Sequence, residues 1–335
     1  MIHLHEFPIG GARRPETARR KIHLKTLAVV MDAPQKVSFR SVGLQAPGED
    51  DAVVQMEYSG ISTGTERLLW DGRMPDFPGM GYPLVPGYEG VGRITHVKEG
   101  SSLQIGDRVF VPGSSSFVDA RGVFGATAER VVTPVNRLTA LDDSFEGSEG
   151  SLLALAATGL HAVRQDGLPE LIIGHGALGR LIARITLALG GNRPRVWEIS
   201  DIRSGGAEGY DVLRPEDDDR SDYIRACDVS GDSEILNQVM PHMARQGQIS
   251  LAGFYSKPVQ FDFPPAFQRE ARITIAAEFN KQDVESVVAM VRSGRLDLSG
   301  LITHSADAGD AGTAFPQAFE DPECLKMILD WRNTA

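Results

Sequence analysis

Leu171-Ile172-Ile173-Gly174-His175-Gly176-Ala177-Leu178-Gly179 is an apolar run that breaks into three glycines spaced Gly-x-Gly-x-x-Gly. Apolar residues at helical spacing follow at once: Leu181, Ile182, Ile185, Leu187, Ala188 and Leu189. Strand, glycine turn and helix, in that order, are the context in which this spacing reads as a dinucleotide fingerprint. Gly174 permits the tight turn, Gly176 lets the backbone approach a pyrophosphate, and Gly179 lets helix and strand pack closely. The first N–H groups of the helix, those of Ala177 and Leu178 among them, have no intrahelical partner and face an anion with partial positive charge.

The next unit supports this reading. Gly190-Gly191 ends the helix, and Arg195-Val196-Trp197-Glu198 reads as the following strand. Glu198 lies 24 residues after Gly174, where an acid at a strand end hydrogen-bonds a ribose 2′-hydroxyl. A carboxylate there repels a 2′-phosphate, so the expected cofactor is NAD. Arg203 is the one nearby residue that could accept such a phosphate; packing on the adenine or lying in solvent is its more ordinary role. Cys227-Asp228-Val229-Ser230-Gly231 and Gln248 to Phe254 read as later strands running into small-residue turns. Ligands bind at the carboxyl ends of such strands, which puts Ser230 and Gly253 on the nicotinamide side.

On either side of this unit the texture differs. Between Leu24 and about residue 150, short strand patterns recur with frequent glycine: Leu27 to Val30, Ala52 to Ser59, Gly90 to Ile94, Asp107 to Pro112 and Glu129 to Val132. They predict a small barrel-like β domain. From Ser151 to about residue 279, strands alternate with helices, as in a doubly wound sheet. The expected class is therefore α/β. Residues 24–150 and 280–335 form one domain, 151–279 form the dinucleotide-binding domain, and residues 1–23 precede both. That leading segment carries Arg13, Arg14, Arg19, Arg20 and Lys21. It reads as a flexible tail, as sequence ahead of the true start, or as a basic arm for an anionic surface.

Composition sets outer limits. The 335 residues suffice for two domains with full cores, and 41% hydrophobic with 24% charged content is ordinary for a globular chain. A net charge of −11 argues against nucleic acid as a partner. Two cysteines, Cys227 and Cys324, build neither a disulfide framework nor a multi-cysteine zinc site, which points to a reducing cytoplasm. No apolar run approaches the ~18 residues of a membrane span, so stable membrane insertion is not expected.

Three further segments carry a family resemblance. Gly87-Tyr88-Glu89-Gly90-Val91-Gly92, Gly106-Asp107-Arg108-Val109 and Gly125-Ala126-Thr127-Ala128-Glu129-Arg130 resemble motifs of the medium-chain dehydrogenase/reductase superfamily. The resemblance covers roughly residues 24–335 and implies a GroES-like β domain, a Rossmann domain and a homodimer formed through edge strands such as Ile273 to Ala277. It also implies that Thr158 packs near the nicotinamide. At the superfamily's catalytic zinc positions, however, the chain carries Ser62, Tyr88 and, near the third, Ala154, a set that cannot supply zinc coordination. The four-cysteine zinc lobe is missing as well, so the expectation is a metal-free enzyme. Ser59 to Glu66, Leu68 to Trp70, Gly72 to Pro75 and Phe77 to Glu89 resemble a metal-free subgroup of bacteriochlorophyll synthesis. That resemblance implies oxidation of the 3-(1-hydroxyethyl) group of a chlorin pigment to 3-acetyl, with NAD as hydride acceptor.

Without zinc, the alkoxide that develops during alcohol oxidation needs hydrogen-bond donors and a proton acceptor. The candidates are Tyr88, Ser62, Thr65 and Glu89, with Thr63 beside them. Tyr88 could relay a proton with Glu89 as partner, or its ring could simply fill the vacated metal cavity. Ser62 and Thr65 could equally cap backbone. His161 reads as a satisfied helix histidine, and His175 as pointing away from the phosphates. The stretch Trp70 to Tyr82, with Met74, Phe77 and Met80, is either one wall of a pigment groove or a proline-braced loop over the β domain. Two other functions stay open: an NADPH-dependent reductase of the quinone oxidoreductase type, disfavoured by Glu198, and a non-catalytic dinucleotide sensor.

Overall fold

The computed structural model describes residues 22–334. Most of the leading basic segment, residues 1–21, lies outside the described residues, and the first strand, Ile22–Ala33, begins two residues before the expected Leu24.

The nucleotide-binding half is a six-stranded, fully parallel sheet. Across it the strands run Asp211–Leu213, Arg195–Trp197, Leu171–Ile173, Tyr223–Asp228, Met243–Leu251 and Arg272–Ile275. In chain order this is the doubly wound 3-2-1-4-5-6 arrangement, whose direction reverses between Leu171–Ile173 and Tyr223–Asp228. Strands of three residues suffice in the middle because both faces are covered: Leu171, Ile172 and Val196 are fully buried. Helices Leu153–Asp166 and Ala177–Ala188 close one side.

One buried acid organises the side of the sheet next to Glu198. Asp218 accepts hydrogen bonds from Trp197 Nε1 and Tyr223 Oη, each at 2.7 Å, and from Arg195. It thus joins the two strands that flank Leu171–Ile173.

The remaining strands form the barrel-like half. The long strand Asp51–Ile61 is its axis, pairing with Gly90–His96, Arg130–Pro134 and Met327–Asp330. A smaller sheet holds the hairpin Ile22–Ala33/Lys36–Gln45 with the short strands Leu84–Val85 and Arg121–Gly122. The C-terminal strands His304–Asp307 and Met327–Asp330 rejoin this half, with Ile328 opposite Gly60 and Leu329 opposite Ser59.

Two sequence expectations need correction. Helix Lys281–Arg292 was grouped with the β domain, yet Val284, Val287, Val288 and Met290 lie in one buried cluster with Leu153, Leu160 and Ile182. Its apolar stripe follows the 3.6-residue period and meets the helices of the nucleotide sheet. Asp283 fixes the join: it completes a capping box with Asn280 and accepts from Arg164 at 2.9 Å, and His161 Nδ1 lies 2.9 Å from its other oxygen. The chain therefore returns to the barrel only after Leu301, and His161 is a satisfied helix histidine. The expected edge strand Ile273 to Ala277 is Arg272–Ile275, and the Ala276 N–H gives the last bond of its parallel ladder to Leu251 O.

Asp218→Ala leaves a buried indole N–H and phenol O–H without acceptors. The expected loss is about 3 kcal/mol of unfolding free energy, read from the urea midpoint, with affinity for the dinucleotide falling as the Glu198 strand loosens.

Candidate active site

Two clefts of chemistry follow from this topology. The first lies at the carboxyl ends of the parallel strands. Gly174 leaves strand Leu171–Ile173 with φ +101°, a conformation open to glycine. A Cβ at Gly179 would collide with the Gly174 carbonyl, whereas one at Gly176 would meet nothing within 4 Å. The fingerprint thus closes on itself at two glycines and leaves an open cradle at the third, at the start of helix Ala177–Ala188. A Cβ at Gly174 would sit 3.3 Å from Ser230, and one at Gly253 3.4 Å from Gly231 N, so three strand ends converge on one crevice. Asp228, fully buried, ties them: it accepts from Ser230 N and Tyr255 Oη, while its carbonyl accepts from Gly253 N.

Glu198 stands beside this cradle. One carboxylate oxygen accepts from His175 N at 3.0 Å and the other from Ser200 N at 2.8 Å. The side chain is therefore held at the glycine loop, with lone pairs left for a ribose hydroxyl. His175 itself turns inward: Nδ1 meets Arg203 O and Nε2 meets Tyr210 Oη, and burial lowers its pKa to about 4. Arg180, also buried, donates to the carbonyls of His175, Arg203, Gly205 and Gly206. It thereby fixes the turn behind Glu198. The Arg203 side chain reaches away, donating from Nε to Pro322 O.

The second cleft lies in the barrel half. Tyr88 Oη donates to Ser62 Oγ at 2.8 Å, and Thr65 lies near the same phenol. Three of the expected residues are thus brought together from two loops, 26 positions apart in sequence. Burial pushes the Tyr88 phenol far above its ordinary value, and the negative charge of Glu89 adds to the effect. The group stays a protonated donor at any physiological pH. Phe124 packs edge-on against its ring, 5.2 Å between centroids, and is itself a non-glycine residue at φ +71°. At the third zinc-equivalent position Ala154 is fully buried and offers no side-chain donor. Its carbonyl accepts from the Thr158 hydroxyl at 2.9 Å, an ordinary helical back-bond. Serine, tyrosine and alanine do not fit a zinc ion, and among the described residues no cluster of three or more His, Cys, Asp or Glu is placed to hold a metal.

Glu89 departs from expectation. It does not partner Tyr88; its carboxylate takes both hydrogen bonds from Lys326 Nζ, at 2.7 and 2.9 Å, in a pair that is almost completely buried. The chain bends at Tyr88, just after Gly87 at φ +99°, and the two neighbouring side chains diverge: Tyr88 reaches Ser62 while Glu89 enters the core. Lys326 also donates to Ile61 O. The stretch Trp70 to Tyr82 takes the covering role among its two expected ones. Met74 is buried in the barrel core, and Trp70, Phe77, Met80 and Tyr82 pack against it.

Sequence reasoning did not select Lys326 or Glu66. A lysine within the apolar strand pattern Cys324 to Trp331 was the available signal, since a buried ammonium demands a partner. Glu66 carried no signal apart from its place beside Ser62 and Thr65.

The fold and the two clefts define an oxidoreductase of the alcohol dehydrogenase type. Residues 48–143 match the alcohol dehydrogenase GroES-like domain. A 2-desacetyl-2-hydroxyethyl bacteriochlorophyllide a dehydrogenase from Cereibacter sphaeroides is 49% identical over 93% of this chain and 100% of its own length. Its counterpart from Rhodobacter capsulatus is 49% identical over 92% of this chain and 99% of its own. Among solved structures, a short chain alcohol dehydrogenase from Escherichia coli in complex with NADH superimposes with TM-score 0.78 at 18% identity, covering 91% of this chain and 99% of that one. The chain belongs to the bacteriochlorophyllide a dehydrogenase family of the medium-chain dehydrogenase/reductase superfamily.

Lys326→Met strands the Glu89 carboxylate in the core. The expected cost is about 3 to 5 kcal/mol, read by thermal or denaturant unfolding. Adding Glu89→Gln should recover most of it, because the uncompensated charge is then gone.

Proposed function

We propose that this chain oxidises the secondary alcohol of the 3-(1-hydroxyethyl) group of a bacteriochlorophyllide to the 3-acetyl ketone, with NAD as acceptor and hydroxyl groups in place of a metal. The products are the ketone, NADH and one proton. The Tyr88–Ser62 hydroxyl pair carries this reading, because it stands where the superfamily otherwise places zinc ligands, in a chain half identical to dehydrogenases of that pigment.

When bound, the nicotinamide supplies the carbon that accepts hydride. The chain's own residues supply the rest. The open cradle at Gly176, with the N–H groups of Ala177 and Leu178, would hold the pyrophosphate. Glu198, already anchored by His175 N and Ser200 N, would take the ribose hydroxyls and exclude a 2′-phosphate. Exposed Ile199 and Ile202 beside it offer an apolar wall for the adenine. Ser230, Gly253 and Thr158 border the nicotinamide end.

At the alcohol, Tyr88 acts as a donor and relay, since its raised proton affinity keeps the phenol neutral. Its single O–H, which rests on Ser62 Oγ, would turn to the substrate oxygen and stabilise negative charge as it develops there. The released proton passes along the Tyr88 and Ser62 hydroxyls to bulk water. The edge strand Arg272–Ile275, with Ile275, Phe263 and Phe267 exposed, supports a homodimer through that edge. Among the described residues no helix is long and apolar enough to cross a membrane.

The test is an absorbance time course with purified protein, NAD and 3-(1-hydroxyethyl) bacteriochlorophyllide a. The expected result is a red shift of the pigment band with equimolar NADH, unchanged by a chelator and much slower with NADP. NADH binding without any pigment change would overturn the substrate, and inhibition by chelator would overturn the metal-free mechanism. Tyr88→Phe is expected to lower kcat about a hundredfold with KM little altered. Glu198→Ala should narrow the preference for NAD over NADP by about tenfold, the equivalent of ~1.4 kcal/mol.

A further inference from the structure

Arg121 is an exposed arginine that, among the described residues, takes part in no ion pair and donates no side-chain hydrogen bond. It is nonetheless held in place. Its strand, Arg121–Gly122, pairs in parallel with Leu84–Val85, with Leu84 opposite Arg121. Its backbone N–H donates to Pro83 O at 2.9 Å. A Cβ at Gly81 would lie 3.0 Å from Arg121 Nε and 3.1 Å from Cζ, so the guanidinium rests directly on that glycine.

This cation stands on the same seam as the alcohol site. The two paired segments run on together from Leu84 and Arg121 to Tyr88 and Phe124. Ala126 N and Thr127 N donate to Gly87 O and Pro86 O, and the Tyr88 and Phe124 rings meet edge-on, 5.2 Å between centroids. Phe124 is fixed at φ +71°, with its carbonyl accepting from Ser114 N at 2.6 Å. The seam thus carries an unpaired guanidinium at one end and, at the other, the Tyr88 hydroxyl beside an aromatic ring. Four residues of chain separate Leu84 from Tyr88, at most ~14 Å. That span is comparable to the width of a tetrapyrrole macrocycle.

We infer that Arg121 receives the propionate carboxylate of the pigment, while the hydroxyethyl group, across the macrocycle, lies at Tyr88. The inference rests on the functional reading above for the place of the alcohol. A bacteriochlorophyllide is the unesterified pigment, so its propionic acid side chain is free and is ionised at neutral pH. The net charge of −11 repels such an anion at long range, and the carboxylate therefore gains from one local cation. A guanidinium offers parallel N–H donors that match a carboxylate. One already seated on Gly81 loses little freedom when it binds. A pigment esterified at this position cannot make the contact, so Arg121 selects for the free acid.

The experiment compares wild type, Arg121→Gln and Arg121→Lys on 3-(1-hydroxyethyl) bacteriochlorophyllide a and on its propionate methyl ester. Binding is read first, as the Kd of each pigment from quenching of its fluorescence with NADH present. Steady-state kinetics with NAD follow. Wild type should prefer the free acid about tenfold, through Kd and KM, with kcat within about twofold for the two pigments. Arg121→Gln should bind the acid about tenfold more weakly and lose that preference, with the ester unaffected. Arg121→Lys keeps the charge without the fork and should fall between them. An acid preference that survives Arg121→Gln would overturn the inference, as would a wild type that does not discriminate. Equal weakening of acid and ester in Arg121→Gln would overturn it too, since loss of a carboxylate contact does not touch the ester. If wild type binds both pigments and oxidises neither, the functional reading falls, while the Kd ratios still decide the carboxylate contact.

Discussion

The buried ion pair between Lys326 and Glu89 is the interaction on which the active site depends. Lys326 arrives on the last strand of the chain, Glu89 lies in the loop that holds Tyr88, and the same ammonium donates to Ile61 O immediately before Ser62. One side chain thus joins the C-terminal return to both loops of the hydroxyl site. Desolvating two charges costs several kcal/mol per ion, so such a pair persists only with close geometry and satisfied neighbours. Both carboxylate oxygens and the Ile61 carbonyl provide that here. Trp331 adds a second tie along the same strand, donating from Nε1 to Ser59 Oγ at 2.8 Å.

The two halves of the molecule solve different electrostatic problems. At the parallel sheet, backbone N–H groups and a helix start create a positive cradle, and Glu198 is held to its edge by main-chain donors. Rigid secondary structure supplies the field there. In the barrel half the candidate site is a pair of hydroxyls, Tyr88 and Ser62, set beside the buried carboxyls of Glu66 and Glu89. Glu89 is paired with Lys326, and burial raises the pKa of Glu66. A hydroxyl site needs a donor at the substrate oxygen and little standing negative charge near it. On the proposed reading, a Tyr88 hydroxyl in place of zinc involves more than exchanging a ligand, because the surrounding charges must also be balanced without a dication.

Legibility in the sequence varied with the range of the interaction. The fingerprint was readable because Gly174, Gly176 and Gly179 act within one turn, and Glu198 follows at a spacing fixed by one helix and one strand. Ser62 and Tyr88 were readable as hydroxyl residues at motif positions, and the structure joins them. Less readable was where helix Lys281–Arg292 packs: its apolar stripe shows that it is buried, without saying against which half. The partner of Glu89 was also hidden, since Lys326 lies 237 positions away. Reading Glu89 as the partner of Tyr88 assumed that neighbours in sequence are neighbours in space, which the bend at Tyr88 contradicts.

By itself, then, the sequence determined the class of each half, the glycine fingerprint with the acid that follows it, and the residue types at the candidate alcohol site. These depend on local backbone preference and short spacings, which a single segment carries whole. Only the tertiary structure decided which charges are neutralised and by what. It brought Tyr88 to Ser62, removed Glu89 to the core, placed Lys326 under both loops and left one oxygen of Glu66 unpartnered. Those outcomes depend on contacts between distant strands in a low-dielectric interior, where a charge is tolerated only beside its partner. No periodicity along the chain records which partner that will be.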